Sequence, residues 1–123
     1  MVVAAEIPCR TNSVYETASL DGAQYATNTV YNLKDKFFLL SRPEIYGTWD
    51  STSYKDGEQL DYYKGLTDLE RIKYDAFGTP RYAWSRSPNP SLASHVRNVH
   101  VGGSLHNYNA YSSYGAAPAC IIA

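Results

Sequence analysis

The last 48 residues, 76–123, contain no Asp, Glu or Lys, and near their middle Gly102-Gly103 separates two strand-like runs. His95-Val96-Arg97-Asn98-Val99-His100-Val101 leads into the glycine pair, and Ser104-Leu105-His106-Asn107-Tyr108 leads out of it. Two glycines between such runs supply the positive φ angles of a tight turn, which predicts an antiparallel hairpin. Val99 and Val101 then share one face and His100 takes the other.

The remaining segments are short. Lys36-Phe37-Phe38-Leu39-Leu40-Ser41 is an apolar run bounded by charge and by Pro43, which predicts a buried strand. Ser41 with Glu44 three residues later is a capping-box pattern, so a helical turn is expected through Ile45 and Tyr46, ending at Gly47. Thr67 with Glu70, followed by Ile72 at helical spacing from Leu69, predicts a second short helix over Thr67–Tyr74. Asp56-Gly57 is a turn signal within a polar stretch, and Gly78-Thr79-Pro80 breaks the chain before Arg81–Pro88. Residues 8–32, with Thr11-Asn12-Ser13, Asp21-Gly22 and Thr27-Asn28-Thr29, lack a sustained period and read as loop with short strands. Ala116–Ala123 reads as a terminal buried strand, with Pro118 at its start or on an edge.

A length of 123 residues with 44% hydrophobic and 19% charged positions makes room for one core, so a single domain over 1–123 is expected. Residues 1–34 form its strand and loop portion and 35–123 its core. No apolar run approaches the roughly 20 residues that span a bilayer, and Met1–Glu6 lacks the basic and apolar regions of a signal peptide, so no membrane association is expected. The net charge of −1 hides an asymmetry: residues 1–75 hold 12 acids and eight bases (8 − 12 = −4), and 76–123 hold only Arg81, Arg86 and Arg97 (+3). Three scattered arginines do not make a phosphate-tracking stripe, and no nucleic-acid partner is expected.

The acid-free portion is rich in contact residues. Between Trp84 and Gly115, 17 of 32 positions are Ser, Asn, His or Tyr, and all three histidines of the chain lie there. The chain has 12 Tyr against three Phe and two Trp, and tyrosine supplies rigid contact area while Ser and Asn supply adaptable hydrogen bonds. Such a composition suits a binding surface.

Phe37-Phe38-Leu39-Leu40-Ser41, Glu44, Arg71-Ile72-Lys73, Trp84-Ser85-Arg86-Ser87-Pro88 and Gly115-Ala116-Ala117-Pro118-Ala119, in this order, resemble a family of phage and prophage proteins with a C-type-lectin-like fold. The resemblance covers roughly residues 35–123, with Ser85 where that family usually has Leu and Ala116 where it usually has Val. It implies an α+β domain with short helices and a mainly antiparallel sheet, with Phe37–Leu40 and Cys120–Ile122 buried near the centre and Trp84 in the core. It also implies likeness to the variable proteins of diversity-generating retroelements, in which adenine-directed mutagenesis rewrites Asn-type codons into Tyr, Ser, His and similar residues. Carried across by position, the implied variable, ligand-binding sites are Ser85, Asn89, Ser94, His95, Asn98, His100, His106, Asn107, Tyr108, Asn109, Tyr111 and Tyr114, one exposed face within residues 85–114. Tyr108, Tyr111 and Tyr114 are the expected anchors, with His106, Asn107 and Asn109 as polar contacts around them.

The implied function is a receptor-binding or tail-associated module of a virion assembled in the host cytoplasm. Its partners would be a bacterial surface protein or glycan and other virion proteins, with a homo-oligomer as an option. The alternative is a structural decoration or tail protein whose Tyr-rich face packs on other subunits. Enzymatic activity is not expected, because no Asp or Glu accompanies the histidines in their own segment. No cofactor is expected, and the cysteine chemistry of formylglycine-generating oxidases, which share the lectin-like fold, is not carried over. Asn89-Pro90-Ser91 superficially resembles a lectin motif, yet a calcium site needs carboxylates that 76–123 lack, and the three histidines read as contact residues rather than a metal site. Cys9 and Cys120 lack the spacing of a zinc or redox motif. If the chain ends meet they come close and allow one disulfide; free thiols are the other option.

Overall fold

The computed structural model describes residues 1–11, 17–20, 23–26, 29–52, 55–90, 92 and 94–123, and for 17–20 and 23–26 it describes the backbone. The expected Asn12-Ser13, Asp21-Gly22 and Thr27-Asn28 loop signals, and Ser91, lie outside the described residues. The chain begins with strands β1 (Val2–Val3), β2 (Ala5–Arg10), β3 (Thr17–Leu20), β4 (Ala23–Ala26), β5 (Val30–Asp35) and β6 (Phe38–Leu39). Helix α1 (Arg42–Tyr46) and two 3-10 turns, Asp61–Tyr63 and Leu69–Arg71, occupy the middle. Then come β7 (Lys73–Tyr74), β8 (Pro80–Arg81), β9 (Ala83–Pro88), β10 (His95–Val99), β11 (Leu105–Asn109), β12 (Pro118–Ala119) and β13 (Ile121–Ile122). All strand pairs are antiparallel: β1 with β13, β2 with β5, β3 with β4, β6 with β12, β7 with β8, and the three-stranded sheet β11-β10-β9. The architecture is mainly antiparallel β with one short helix, and no described helix is long and apolar enough to cross a membrane.

The expected hairpin forms, with Val96 opposite Tyr108, Asn98 opposite His106 and Val99 opposite Leu105. Its strand β10 ends at Val99, so Val101 belongs to the turn. Gly103 has φ 88°, and a Cβ there would lie 1.6 Å from the Asp68 carbonyl oxygen, so only glycine lets the turn dock on the 3-10 segment. The capping box of α1 also forms: Glu44 N–H donates to Ser41 Oγ, the Ser41 N–H donates to the Glu44 carboxylate, and Gly47 closes the helix in the left-handed conformation.

Four sequence expectations are corrected. Thr67–Tyr74 is not a helix: one 3-10 turn gives way to β7, because Leu69 is exposed and a two-turn segment without a buried stripe does not offset its nucleation cost. Asp75 directs the chain the other way, accepting from the N–H groups of Phe77 and Thr79 and pairing with Arg81 across the turn. Phe37–Leu40 is not a central strand: only Phe38 and Leu39 pair, with β12, and Phe37 is 62% exposed. Ile121 and Ile122 pair with Val2 and Val3 as a two-stranded ribbon, and Ile122 remains 75% exposed. Trp84 is half-buried rather than fully in the core: its ring lies against Tyr114, and the residue borders a cavity with the core residues Ile45, Ala83 and Val99.

Among the described residues the apolar core gathers Ile45, Tyr63, Ala83 and Val99, with Leu40, Tyr46 and Leu66 packed around them. A polar core completes it. Arg86 directs both ends of its guanidinium to Glu44, at 2.7 Å each, and donates to the carbonyls of Pro8 and Leu39 at 2.9 Å and of Asp56 at 3.0 Å. All five N–H groups of that fork are thereby engaged, tying β2, β6, α1 and the Asp56-Gly57 turn to β9. Ser87 Oγ donates to Asp56 at 2.5 Å and accepts from the Arg42 N–H at 2.9 Å. A second charged cluster gathers Arg10, Arg42 and Arg97 on the buried carboxylate of Asp50. Ser41, Glu44, Arg86 and Ser87 are thus scaffold residues.

The chain ends meet: Ala123 N–H donates to the Met1 carbonyl at 3.0 Å. Cys9, buried in β2, and Cys120, exposed beside β13, are both free thiols.

Candidate functional site

Strand alternation and the hairpin register build one aromatic face. In antiparallel sheets directly opposed residues share a face, and here Asn98 is opposite both Trp84 and His106, while Val96 is opposite Tyr108. Tyr82, two residues before Trp84, extends the same row toward the turn. The segment after β11 returns across it, with Gly115 bonded to Tyr82 and Trp84 through the backbone, and this places Tyr114 over the row.

The rings form a closed circuit. Tyr114 stacks on Tyr82 with centroids 4.4 Å apart and planes 13° apart. Tyr82 meets His100 edge-on at 5.0 Å, His100 lies 5.3 Å from His106, His106 lies 6.3 Å from Tyr108, and Tyr108 returns to Tyr114 at 5.6 Å. Trp84 joins through Tyr114 at 5.0 Å. Offset and edge-on arrangements of this kind add stabilisation beyond area burial, so the rings are mutually positioned before any ligand arrives.

Hydrogen bonds fix the His100 ring. Its Nδ1 accepts from the Gly102 N–H at 3.0 Å, which leaves Nε2 as the protonated nitrogen of the neutral ring, donating to Tyr82 Oη at 3.2 Å. The Tyr82 hydroxyl proton is then directed elsewhere. Desolvation among the rings, with Tyr108 and Tyr82 beside it, pushes the Tyr114 hydroxyl pKa up, partly offset by a hydrogen bond with Ser112, so Tyr114 is a neutral hydroxyl at pH 7. Beside Tyr82 and Tyr114 lies a cleft of about 240 Å³ bounded by Pro80, Arg81, Val101 and Ser113.

Of the sequence-expected site residues, the structure brings His100, His106, Tyr108 and Tyr114 together on this face. Tyr111 is 83% exposed on the loop after β11, outside the ring circuit. Ser94 is exposed and its hydroxyl contacts His95 Nδ1 at 3.1 Å; His95, opposite Asn109, and Asn107, opposite Arg97, are half-buried on the other side of the sheet.

Three expected face residues are corrected to interior positions. Ser85 is buried and donates to the Arg97 carbonyl at 2.8 Å, where the register shift between Val96 and Asn98 interrupts the ladder. A Leu there would lack that donor. Asn89 is buried and its side-chain oxygen accepts from the Leu92 N–H at 3.0 Å, a local side-chain-to-backbone bond of the kind Asn favours outside regular structure. Asn98 is 1% exposed beneath the rings, with neither its amide nitrogen nor its oxygen hydrogen-bonded.

Tyr82 and Trp84 belong to the face although the sequence window of candidates begins after them. Their spacing of two from each other was the available signal. The arrangement offers contact area and hydroxyl donors, and both nitrogens of His100 are engaged. Among the described residues no group of three or more His, Cys, Asp or Glu gathers as a metal site.

A family model described as a domain of unknown function, DUF6273, matches residues 2–123. No solved structure matches the chain.

Proposed function

From the premise that the chain belongs to the DUF6273 family, we propose that it is a non-enzymatic ligand-binding module whose contact surface is the aromatic face of Tyr82, Trp84, His100, His106, Tyr108 and Tyr114. The observation that carries this reading is the closed ring circuit on one face of the β9-β10-β11 sheet. A rigid cluster of amphipathic rings contributes contact area at little entropic cost, and aromatic anchors dominate the energetics of such surfaces.

The sequence resemblance supplies the setting. We place the domain in the C-type-lectin-like class, on a phage or prophage particle, with a bacterial surface protein or glycan as ligand and with retroelement diversification acting on the exposed members of the face. Buried Ser85, Asn89 and Asn98 are then framework. The rival, a decoration or tail protein, draws support from apolar side chains away from the face, chiefly Phe77, which is 94% exposed at the β7-β8 turn. Sequencing the C-terminal windows of sibling phages separates the two. Substitutions concentrated at His100, His106, Tyr108, Tyr111 and Tyr114 would support the ligand-binding reading, and a fixed face with variation elsewhere would overturn it.

A further inference from the structure

Lys73, the last residue of the Arg71-Ile72-Lys73 motif, takes no part in the polar core. It lines a cavity of about 200 Å³ whose other walls include Leu40, Ile45, Ala83, Trp84 and Val99. Its ammonium donates to Tyr63 Oη at 2.7 Å and stands 5.1 Å from that ring's centroid. No carboxylate pairs with it among the described residues, and its cross-strand neighbour on β8 is another cation, Arg81, itself paired with Asp75. A half-buried ammonium that donates to a phenol hydroxyl, and to no carboxylate among the described residues, keeps donor capacity for an anion.

We propose that this cavity is a second binding site, for a small monocarboxylic acid with a single ring or short branched apolar chain. The apolar part fills the space among Leu40, Ile45, Ala83 and Val99, and the carboxylate accepts from Lys73 Nζ beside Tyr63 Oη. Size agrees with this: an apolar cavity of roughly 150 Å³ holds a benzene ring, and this one is larger. Charge agrees too, because a carboxylate meeting an ammonium in a partly desolvated place gains an ion pair along with the hydrogen bond, whereas an amide gains the hydrogen bond alone. The cavity shares Trp84 with the aromatic face, and its polar anchors, Lys73 and Tyr63, lie outside that face.

Trp84 forms part of the cavity wall, so it reports occupancy. The chain has two tryptophans, and Trp49→Phe leaves Trp84 as the single tryptophan, excited selectively over the tyrosines at the red edge of absorption. Titration of that variant with phenylacetate should give a saturable fluorescence change, with the neutral isostere phenylacetamide binding about tenfold more weakly or worse. Lys73→Met should weaken phenylacetate by a similar factor and phenylacetamide by much less. Ala83→Leu, which fills the cavity, should abolish both. Amide shifts of Ala83, Val99 and Ala117 in the unsubstituted chain provide the same readout without any variant. Absence of saturable change in both measurements, equal affinity for acid and amide, or full phenylacetate binding by a folded Lys73→Met protein would each overturn the proposal.

Discussion

Replacing Arg86 by Met should be the most damaging single change outside the apolar core. The substitution keeps an unbranched apolar stem but removes two bonds to Glu44 and three to the carbonyls of Pro8, Leu39 and Asp56. It strands the Glu44 carboxylate, which among the described residues retains only the Ser41 N–H, in a site where both side chains are almost fully covered. Breaking a buried pair by removing one partner costs about 3–5 kcal/mol, against a total stability of roughly 5–15 kcal/mol for a domain. For a chain of this length that is a fall of about 10–20 °C in thermal midpoint. Arg86→Lys should recover little, because an ammonium cannot reproduce a bidentate fork with three further donors. The double variant Arg86→Met with Glu44→Leu should be more stable than Arg86→Met alone, since the unpaired charge is gone. Urea unfolding followed by circular dichroism measures all three. A loss below about 1 kcal/mol for Arg86→Met would refute the view that this fork joins the strands.

Three further outcomes are expected. Asn98→Leu should hold or raise stability by about 1 kcal/mol, because the buried amide has no partner to lose; a loss larger than that in urea unfolding would show that the amide is satisfied. Iodoacetamide at pH 8 should label Cys120 first. Cys9 is slower because burial raises its thiol pKa, against smaller lowering by Arg86; stability from this group is complete below the unfolded thiol value of about 8.5 and is lost as pH rises toward the folded value, so faster labelling of Cys9 by mass spectrometry would contradict its placement. The Asp75 carboxyl, held low by the Thr79 N–H and then by Arg81, should titrate in NMR below the unfolded value of about 3.9. Its contribution to the β7-β8 turn is present above that value and fades as pH falls through the folded one, so a midpoint at or above 3.9 would remove Asp75 as the organiser of the turn.

Local chemistry was legible where a few neighbouring residues decide the outcome. Ser41 and Glu44 announce a helix start, Gly102-Gly103 announces a hairpin, and both form. Expectations failed where distant partners decide. Phe37 and Ile122 are apolar enough for a core, yet Phe37 precedes a two-residue strand and Ile122 lies on another, and both stay exposed. Thr67–Tyr74 carries a helix-start pattern, and Asp75 beyond it turns the segment into a strand. The site was half legible for a related reason. Composition located the region, but the bulge opposite Arg97 decides which Ser and Asn side chains turn inward, and a register shift leaves no mark that counting residues detects. Tyr82 escaped notice because its partners, His100 and Tyr114, are 18 and 32 positions away.

The central claim, that the aromatic face is a ligand-binding surface, is tested most directly by flow cytometry of the fluorescently labelled domain on a panel of bacterial strains. The account predicts saturable staining of some strains and its loss, by about tenfold or more in affinity, when His106 and Tyr108 are both replaced by Ala. Both side chains are exposed, so the thermal midpoint of the double variant should change by no more than about 3 °C. Staining of no strain, or staining that the folded double variant retains in full, would contradict it.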